Sequence, residues 1–298
     1  MKILLATDGS EYSEGAAGFL RCLNLSLRDE ITIFHALYWI PFLYNNESYL
    51  DTLNEIKKEI APRIIDSVLN ILKPVNAKIS TAIVEGPPEE CIIDATTDTE
   101  ADMIVMGSRG IRGMRSLFIG SVTRSVAIRS PKPVLVIRLP SPATPDRLRI
   151  LFATDGSDHS MATREFLCTM PFHDATEIKV MNVMPSDFLD IPETFAPLII
   201  ERMIEINDKM RATQLAESQK IVEQSREYLS TRFRHVNVLS ATGDPSTEIV
   251  NMAEASGTDL IAMGCRGLQG IRGMMGSVSR NVLGHSPCSV LIGKTCQV

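Results

Sequence analysis

No run of the chain approaches the roughly 18 apolar residues of a membrane span, so no membrane association is expected. The opening decapeptide MKILLATDGS carries one Lys and five apolar residues before an Asp, too short for a secretory signal and without a cleavage site. Cysteine is sparse and unpatterned: Cys22, Cys91, Cys168, Cys265, Cys288 and Cys296 form no Cys-x-x-Cys pair in 298 residues. They read as reduced thiols of a cytoplasmic protein. The five histidines lack ligand spacing, so no metal site is expected. Positive charge is also short. The chain holds 30 Lys+Arg against 36 Asp+Glu, a net charge of −6 and the wrong sign for a general nucleic-acid-binding surface. Two nucleotide signatures are absent as well. Without G-x-x-x-x-G-K-[ST] the P-loop class is excluded, and without G-x-G-x-x-G after the first apolar segment a dinucleotide oxidoreductase is disfavoured.

What the chain does have is a repeat. Lys2 to Ser10 (KILLATDGS) returns as Arg149 to Ser157 (RILFATDGS), identical at seven of nine positions and offset by 147. Asp102 to Gly110 (DMIVMGSRG) returns as Asp259 to Gly267 (DLIAMGCRG), offset by 157, so the second copy has gained ten residues in between. Each half, 1–146 and 147–298, carries 15 basic and 18 acidic residues. At about 150 residues per domain the length also fits two domains. Between the copies lies Leu139-Pro140-Ser141-Pro142-Ala143-Thr144-Pro145, where three prolines disfavour helix and sheet.

Within the first copy, Ile- and Val-rich runs at 2–7, 31–37, 77–84, 102–106 and 133–138 predict strands. The segments 11–23, 48–73, 87–99 and 119–129 have the three-and-four apolar spacing of helices. The second copy repeats the order, with strands near 149–154, 177–183, 236–241, 259–263 and 289–293. Its extra residues make 198–232 either one very long helix or two with a break near Asn207-Asp208. Alternating β and α elements predict a parallel, doubly wound sheet, with ligands at the carboxyl ends of the strands.

Those ends carry the chemistry. The first strand ends in Thr7-Asp8-Gly9-Ser10, with Ser10 a helix N-cap and Asp8 either bonding its own turn or accepting from a base amine or sugar hydroxyl. After the fourth strand comes Gly107-Ser108-Arg109-Gly110, then nine residues, then Gly120-Ser121-Val122-Thr123-Arg124. The first two glycines let backbone approach a ligand and adopt positive φ. Gly120-Ser121 opens a helix whose N–H groups form an anion site, with the Ser121 and Thr123 hydroxyls as further donors. From Gly107 to Arg129 there are five arginines and no acid. His35 is read as a packed, hydrogen-bonded strand residue, since Asn182 takes its place in the second copy. Met203, Met210 and Met274-Met275 read as core filler, and the aromatic run Tyr38 to Tyr44 as packing beneath the second helix.

On these residues the chain resembles the universal stress protein family in its tandem form. The family's ATP-binding pattern G-x2-G-x9-G-[ST] is matched in full by Gly107, Gly110, Gly120 and Ser121. The resemblance implies two α/β domains, 1–140 and 147–298, joined by a linker at 141–146. Each would be a five-stranded parallel sheet of order 3-2-1-4-5 with four helices. It implies that Ala6, Thr7 and Asp8 line the base and ribose region, that Ala36 and Met106 face the adenine pocket, and that Gly107, Arg109, Gly110, Gly120, Ser121, Val122 and Thr123 hold the phosphates. The counterparts are Ala153, Thr154, Asp155, Val183, Met263, Gly264, Arg266, Gly267, Gly276, Ser277, Val278 and Ser279. It also implies that the two fifth strands pair antiparallel, giving an intrachain pseudo-dimer, with a homodimer of the whole chain open and the protein partner unnamed.

Three functions stay open at this point. One is a non-enzymatic ATP- or AMP-binding stress-response module, with Mg²⁺ entering only on the triphosphate. Another is an adenine-nucleotide α-hydrolase, although Ala6 to Ser10 lacks that class's paired glycines. The third is an interaction module that has lost its nucleotide in the second half. The second copy departs from the pattern, with eight residues rather than nine between Gly267 and Gly276, and Gln269 where the first has Arg112. One residue fewer shifts an extended path by about 3.3–3.6 Å, which predicts weaker triphosphate binding in the second half.

Overall fold

The computed structural model describes residues 1–38, 47–110, 119–139, 146–185, 196–268 and 275–295, with helical backbone alone at 47–54 and 196–210. Residues 141–145 of the linker, Arg112, Arg115, Gln269, Met274, Cys296, the side chains of Met203 and Met210, and the aromatic run beyond Tyr38 lie outside the described residues.

The first half runs β1 (Lys2–Ala6), α1 (Glu11–Phe19), β2 (Glu30–Leu37), α2 (Glu47–Leu72), β3 (Lys78–Glu85), α3 (Pro88–Asp98), β4 (Met103–Gly107), α4 (Ser121–Arg129) and β5 (Val134–Ile137). The second runs β6 (Arg149–Ala153), α5 (Asp158–Thr169), β7 (Glu177–Met184), α6 (Ala196–Leu229), β8 (His235–Thr242), α7 (Pro245–Ala255), β9 (Leu260–Gly264), α8 (Ser277–His285) and β10 (Ser289–Gly293). The extended insertion forms a single 34-residue helix, α6, with no break at Asn207-Asp208. Helix α1 is shorter than its apolar spacing predicts. It tightens into a 3-10 turn at Leu20–Cys22, and Asn24 N–H then donates across to Pro171 O at 2.6 Å.

The ten strands among the described residues join one sheet of order β3-β2-β1-β4-β5-β10-β9-β6-β7-β8. Each half is parallel in the order 3-2-1-4-5, and the antiparallel pairing of β5 with β10 joins them. Period-two alternation decides which face each side chain meets. Ile3 and Leu5 face a core closed by α1 and α2 residues such as Phe19 and Val68, whereas Leu4 and Ala6 face one closed by α3 and α4 residues such as Ile92 and Val126. Both faces are covered, so β4, β5, β9 and β10 are buried along their whole length. At the junction Val136 opposes Val290, Leu135 opposes Leu291 and Val134 opposes Ile292.

Two cations cross that junction reciprocally. Arg138, just past β5, donates from Nη2 to Leu283 O and Gly284 O, both at 2.9 Å, in the last turn of α8. Lys294, just past β10, donates from Nζ to Ala127 O at 2.8 Å and Ile128 O at 3.1 Å, in the last turn of α4. Each half therefore supplies the cation that neutralises the negative end of the other half's helix. Burial pushes both groups toward the neutral form, Arg138 and Lys294 each falling below their ordinary values. Arg138→Met is expected to lower the unfolding free energy by about 1–3 kcal/mol, the worth of hydrogen bonds from a charged donor, as read by urea denaturation. An unchanged midpoint would show that these contacts add nothing.

Candidate functional site

The carboxyl ends of β1 and β6 run into matching turns. Gly9 (φ +79°) and Gly156 (φ +76°) hold left-handed backbone that other residues rarely adopt. Asp8 Oδ1 accepts from Ser10 N–H at 3.0 Å and Ser10 Oγ at 2.6 Å, and Asp155 repeats both distances with Ser157. Ser10 and Ser157 in turn cap α1 and α5. The turn-bonding role of Asp8 is thus present, and it occupies one carboxylate oxygen. The other is turned to the loop after the fourth strand. Asp155 Oδ2 accepts from Leu268 N–H at 3.1 Å, and a β-carbon on Gly267 would lie 2.6 Å from it. A β-carbon on Gly110 would likewise collide with Asp8 Oδ2. Gly110 and Gly267 therefore leave room for a carboxylate.

Four expectations change in detail. Positive φ belongs to Gly9 and Gly156, not to Gly107, Gly110 or their counterparts. Gly107 and Gly264 are small because helix backbone lies against them: a β-carbon would come within 2.6 Å of Tyr12 C in one half and 2.8 Å of His159 C in the other. Thr123 and Ser279 are buried, and their hydroxyls donate to Gly107 O at 2.9 Å and Gly264 O at 2.7 Å. They tie the helix to the strand end instead of offering a proton to phosphate. Thr7 and Thr154 likewise turn their hydroxyls to Ser13 and Ser160, each at 3.0 Å, leaving backbone toward the strand tips. His35 is a scaffold residue. Its Nδ1 donates to Thr7 O at 2.8 Å, as Asn182 Nδ2 donates to Thr154 O at 2.7 Å, and a carbonyl can only accept.

The helices that open toward these loops are α4 and α8. Side chains cap α1, α5 and α7 through Ser10, Ser157 and Asp244, but α4 and α8 start on Gly120 and Gly276 with no side-chain cap. Gly120 N–H donates to Ser108 O at 2.9 Å and Gly276 N–H to Cys265 O at 2.8 Å, fixing each helix start against its loop. The N–H groups at the following positions point along the helix toward the loop, a ready site for negative charge.

In the second half these parts enclose a cleft of about 670 Å³. Ala153, Thr154, Asp155, Val183, Met263, Gly264, Arg266, Gly267, Gly276, Ser277, Val278 and Ser279 all line it. So do residues the sequence pattern missed: Met181 and Met184 of β7 and Pro185 just past it, Gln214, Glu217, Ser218 and Ile221 of α6, Ile249 of α7, and Met275. Met275 is therefore both core filler and cleft wall, 4% exposed. The α6 residues carry no local signal. Their place follows from Ile221 packing over the Gly156 turn, a long-range contact. In the first half Ala6 and Met106 are buried beside the Asp8 turn, Ala36 is half-buried near the end of β2, and Ser121 and Val122 lie in the first turn of α4. Arg109 stacks on Tyr12, 5.5 Å from the ring centroid.

Behind the second loop, Cys265 Sγ and His159 Nδ1 share a hydrogen at 3.3 Å. Burial, then the cations Arg266 and Lys294, hold His159 below its usual range, and burial raises the Cys265 thiol. A lowered histidine value means stability is full above about pH 6.5 and is lost as pH falls through the folded-state value. His159→Gln is expected to flatten that part of the stability profile. An unaltered slope below pH 6.5, measured by urea unfolding at several pH values, would contradict this.

The sequence model of the universal stress protein family matches residues 1–138 and 147–294. The chain belongs to that family. A universal stress protein of Methanocaldococcus jannaschii is 30% identical over 152 residues, covering 94% of that protein and 46% of this chain. A universal stress protein of Mycolicibacterium smegmatis aligns end to end, 25% identical over 300 residues and covering 97% of this chain and 96% of that one. The crystal structure of a universal stress protein from Archaeoglobus fulgidus shares the fold, with a TM-score of 0.63 at 22% identity, covering 98% of this chain and 96% of that chain. Tandem universal stress protein domains thus account for the repeat and for the ten-stranded sheet.

Proposed function

We propose that each half binds an adenine nucleotide, ATP or AMP, and that occupancy makes this cytoplasmic protein a sensor or signalling module in a stress response. The two units are residues 1–140 and 147–298, joined at 141–146. The observation that carries the reading is the convergence in the second half. Twelve residues nominated by the repeat and the resemblance meet around one cleft, which combines an apolar floor, a carboxylate and an uncapped helix start. An apolar slot with a few polar groups suits a base and ribose, and the helix start suits phosphate.

The same geometry favours binding over catalysis. Hydrolysis needs a base aimed at water beside the phosphates. Of the two carboxylates lining the cleft, Asp155 already serves Ser157 with one oxygen and Leu268 N–H with the other, and Glu217 is a solvent-exposed side chain of α6. Among the described residues no group of three His, Cys, Asp or Glu gathers to hold a metal. Likewise no described helix is long and apolar enough to cross a membrane.

Incubating the full chain with ATP, followed by chromatography, tests the reading. Retained, unchanged ATP or AMP supports it. AMP with pyrophosphate would indicate the α-hydrolase, and no retention the interaction module.

A further inference from the structure

The two halves differ in chemistry along the long helices α2 and α6, which pack over the Gly9 and Gly156 turns. Ile64 lies 3.0 Å from the position of a β-carbon on Gly9, and Ile221 lies 3.2 Å from the same point on Gly156. That shared contact fixes the register of α2 against α6. Four residues earlier, Glu217 lines the second cleft where the first half has Ile60. Seven residues earlier, Gln214 lines it where the first half has Lys57, whose Nζ donates to Tyr38 O at 3.0 Å. Moving from the first half to the second, one helix face loses a cation and gains a carboxylate.

We infer that the second cleft selects a nucleoside monophosphate over a triphosphate, and that Glu217 is a specificity-determining residue for that choice. The inference rests on the nucleotide reading above. Glu217 lines the same cleft of about 670 Å³ as the start of α8 at Gly276 and Ser277, and charges that share one cleft are screened less than charges on open surface. Asp155 and Glu217 give the described wall two acids against one base, Arg266. Each phosphate added to the ligand increases repulsion from that wall, whereas base and ribose, being neutral, are unaffected. Counterparts in the first half are Asp8, Ile60, Lys57 and Arg109, with one acid against two bases.

The test is calorimetry on the full chain in Mg²⁺-free buffer at low salt, using AMP and ATP as probes, with Gly120→Val present to silence the first site. Glu217 is exposed, so its replacement leaves the fold in place. Glu217→Gln is expected to raise the ratio of ATP to AMP affinity about three- to fivefold, and Glu217→Lys roughly tenfold. Added salt should shrink both changes. In the mirror experiment, with Gly276→Val silencing the second site, Ile60→Glu should lower the same ratio in the first. AMP and ATP binding with ratios that do not move would overturn this inference and leave the nucleotide reading standing. Failure of the unsubstituted chain to bind either probe would overturn both.

Discussion

Gly120→Val is expected to remove ATP binding from the first half, and Gly276→Val from the second, each by at least tenfold and each at little cost to folding. The backbone at both positions is extended, with φ −66° and −61°, so a side chain brings no conformational strain. A β-carbon on Gly120 would meet Arg109 Cα at 3.4 Å, Ser108 O at 3.5 Å and Gly110 N at 3.8 Å, which is ordinary contact. On Gly276 the figures are 3.5, 3.5 and 3.8 Å, to Arg266 Cα, Cys265 O and Gly267 N. The protein thus has room for the first carbon, but the branched methyls then fill the gap between the β4 or β9 loop and the helix start. That gap is where a phosphate would sit against the first-turn N–H groups. Loss of a favourable N-cap residue costs about 1 kcal/mol at most here. Calorimetry on the full chain should show ATP stoichiometry falling by one site per substitution, with a nearly unchanged urea midpoint. Wild-type ATP affinity in the double variant would refute the phosphate assignment.

The full chain is the proper subject of that measurement. Separated halves would expose the β5 or β10 edge, whose residues are buried against each other. Each would also lose the Arg138 or Lys294 cap supplied by its neighbour.

The fold was legible because its signals are local. The strands are short apolar runs, the connections carry helix spacing, and KILLATDGS announces its copy 147 residues later. The strand order and the antiparallel seam came from the family resemblance, since nothing local says which strands pair. The candidate site was legible only in its motifs. Asp8, Gly110 and Gly120 are close in sequence to the turns they serve, and turn chemistry is local. Glu217 was invisible for the opposite reason. It sits on a continuous helix, marked by nothing except the tertiary contact of Ile221 with Gly156 one turn later. Thr7 and Thr123 show a third limit. Their side chains have the right chemistry for a ligand, but in the structure those groups already bond Ser13 and Gly107.

Gly107→Ala is expected to destabilise the protein by about 3 kcal/mol or more, although Gly107 belongs to the same motif as Gly120. The added carbon would lie 2.6 Å from Tyr12 C, 2.7 Å from Tyr12 O and 2.9 Å from Ser13 N. These are backbone atoms at the start of α1, so no rotamer change can make room. Helix α1 would have to lift from the sheet, and with it the Ser10 cap and the Asp8 turn that Ser10 supports. Overpacking of a well-filled core costs typically 1–3 kcal/mol, and rigid backbone on one side puts this site at the upper end or above. Against a total stability of about 5–15 kcal/mol that is a large fraction. Gly264→Ala should behave alike, since His159 C and Ser160 N lie 2.8 and 2.9 Å from its β-carbon position. Urea unfolding should therefore separate the glycines of one motif into two kinds. Gly107 and Gly264 would fail by unfolding, and Gly120 and Gly276 by losing ATP with the fold intact. A Gly107→Ala protein with the wild-type midpoint would mean that α1 does not rest on β4 as described. Loss of ATP binding at that unchanged midpoint would return Gly107 to the phosphate site.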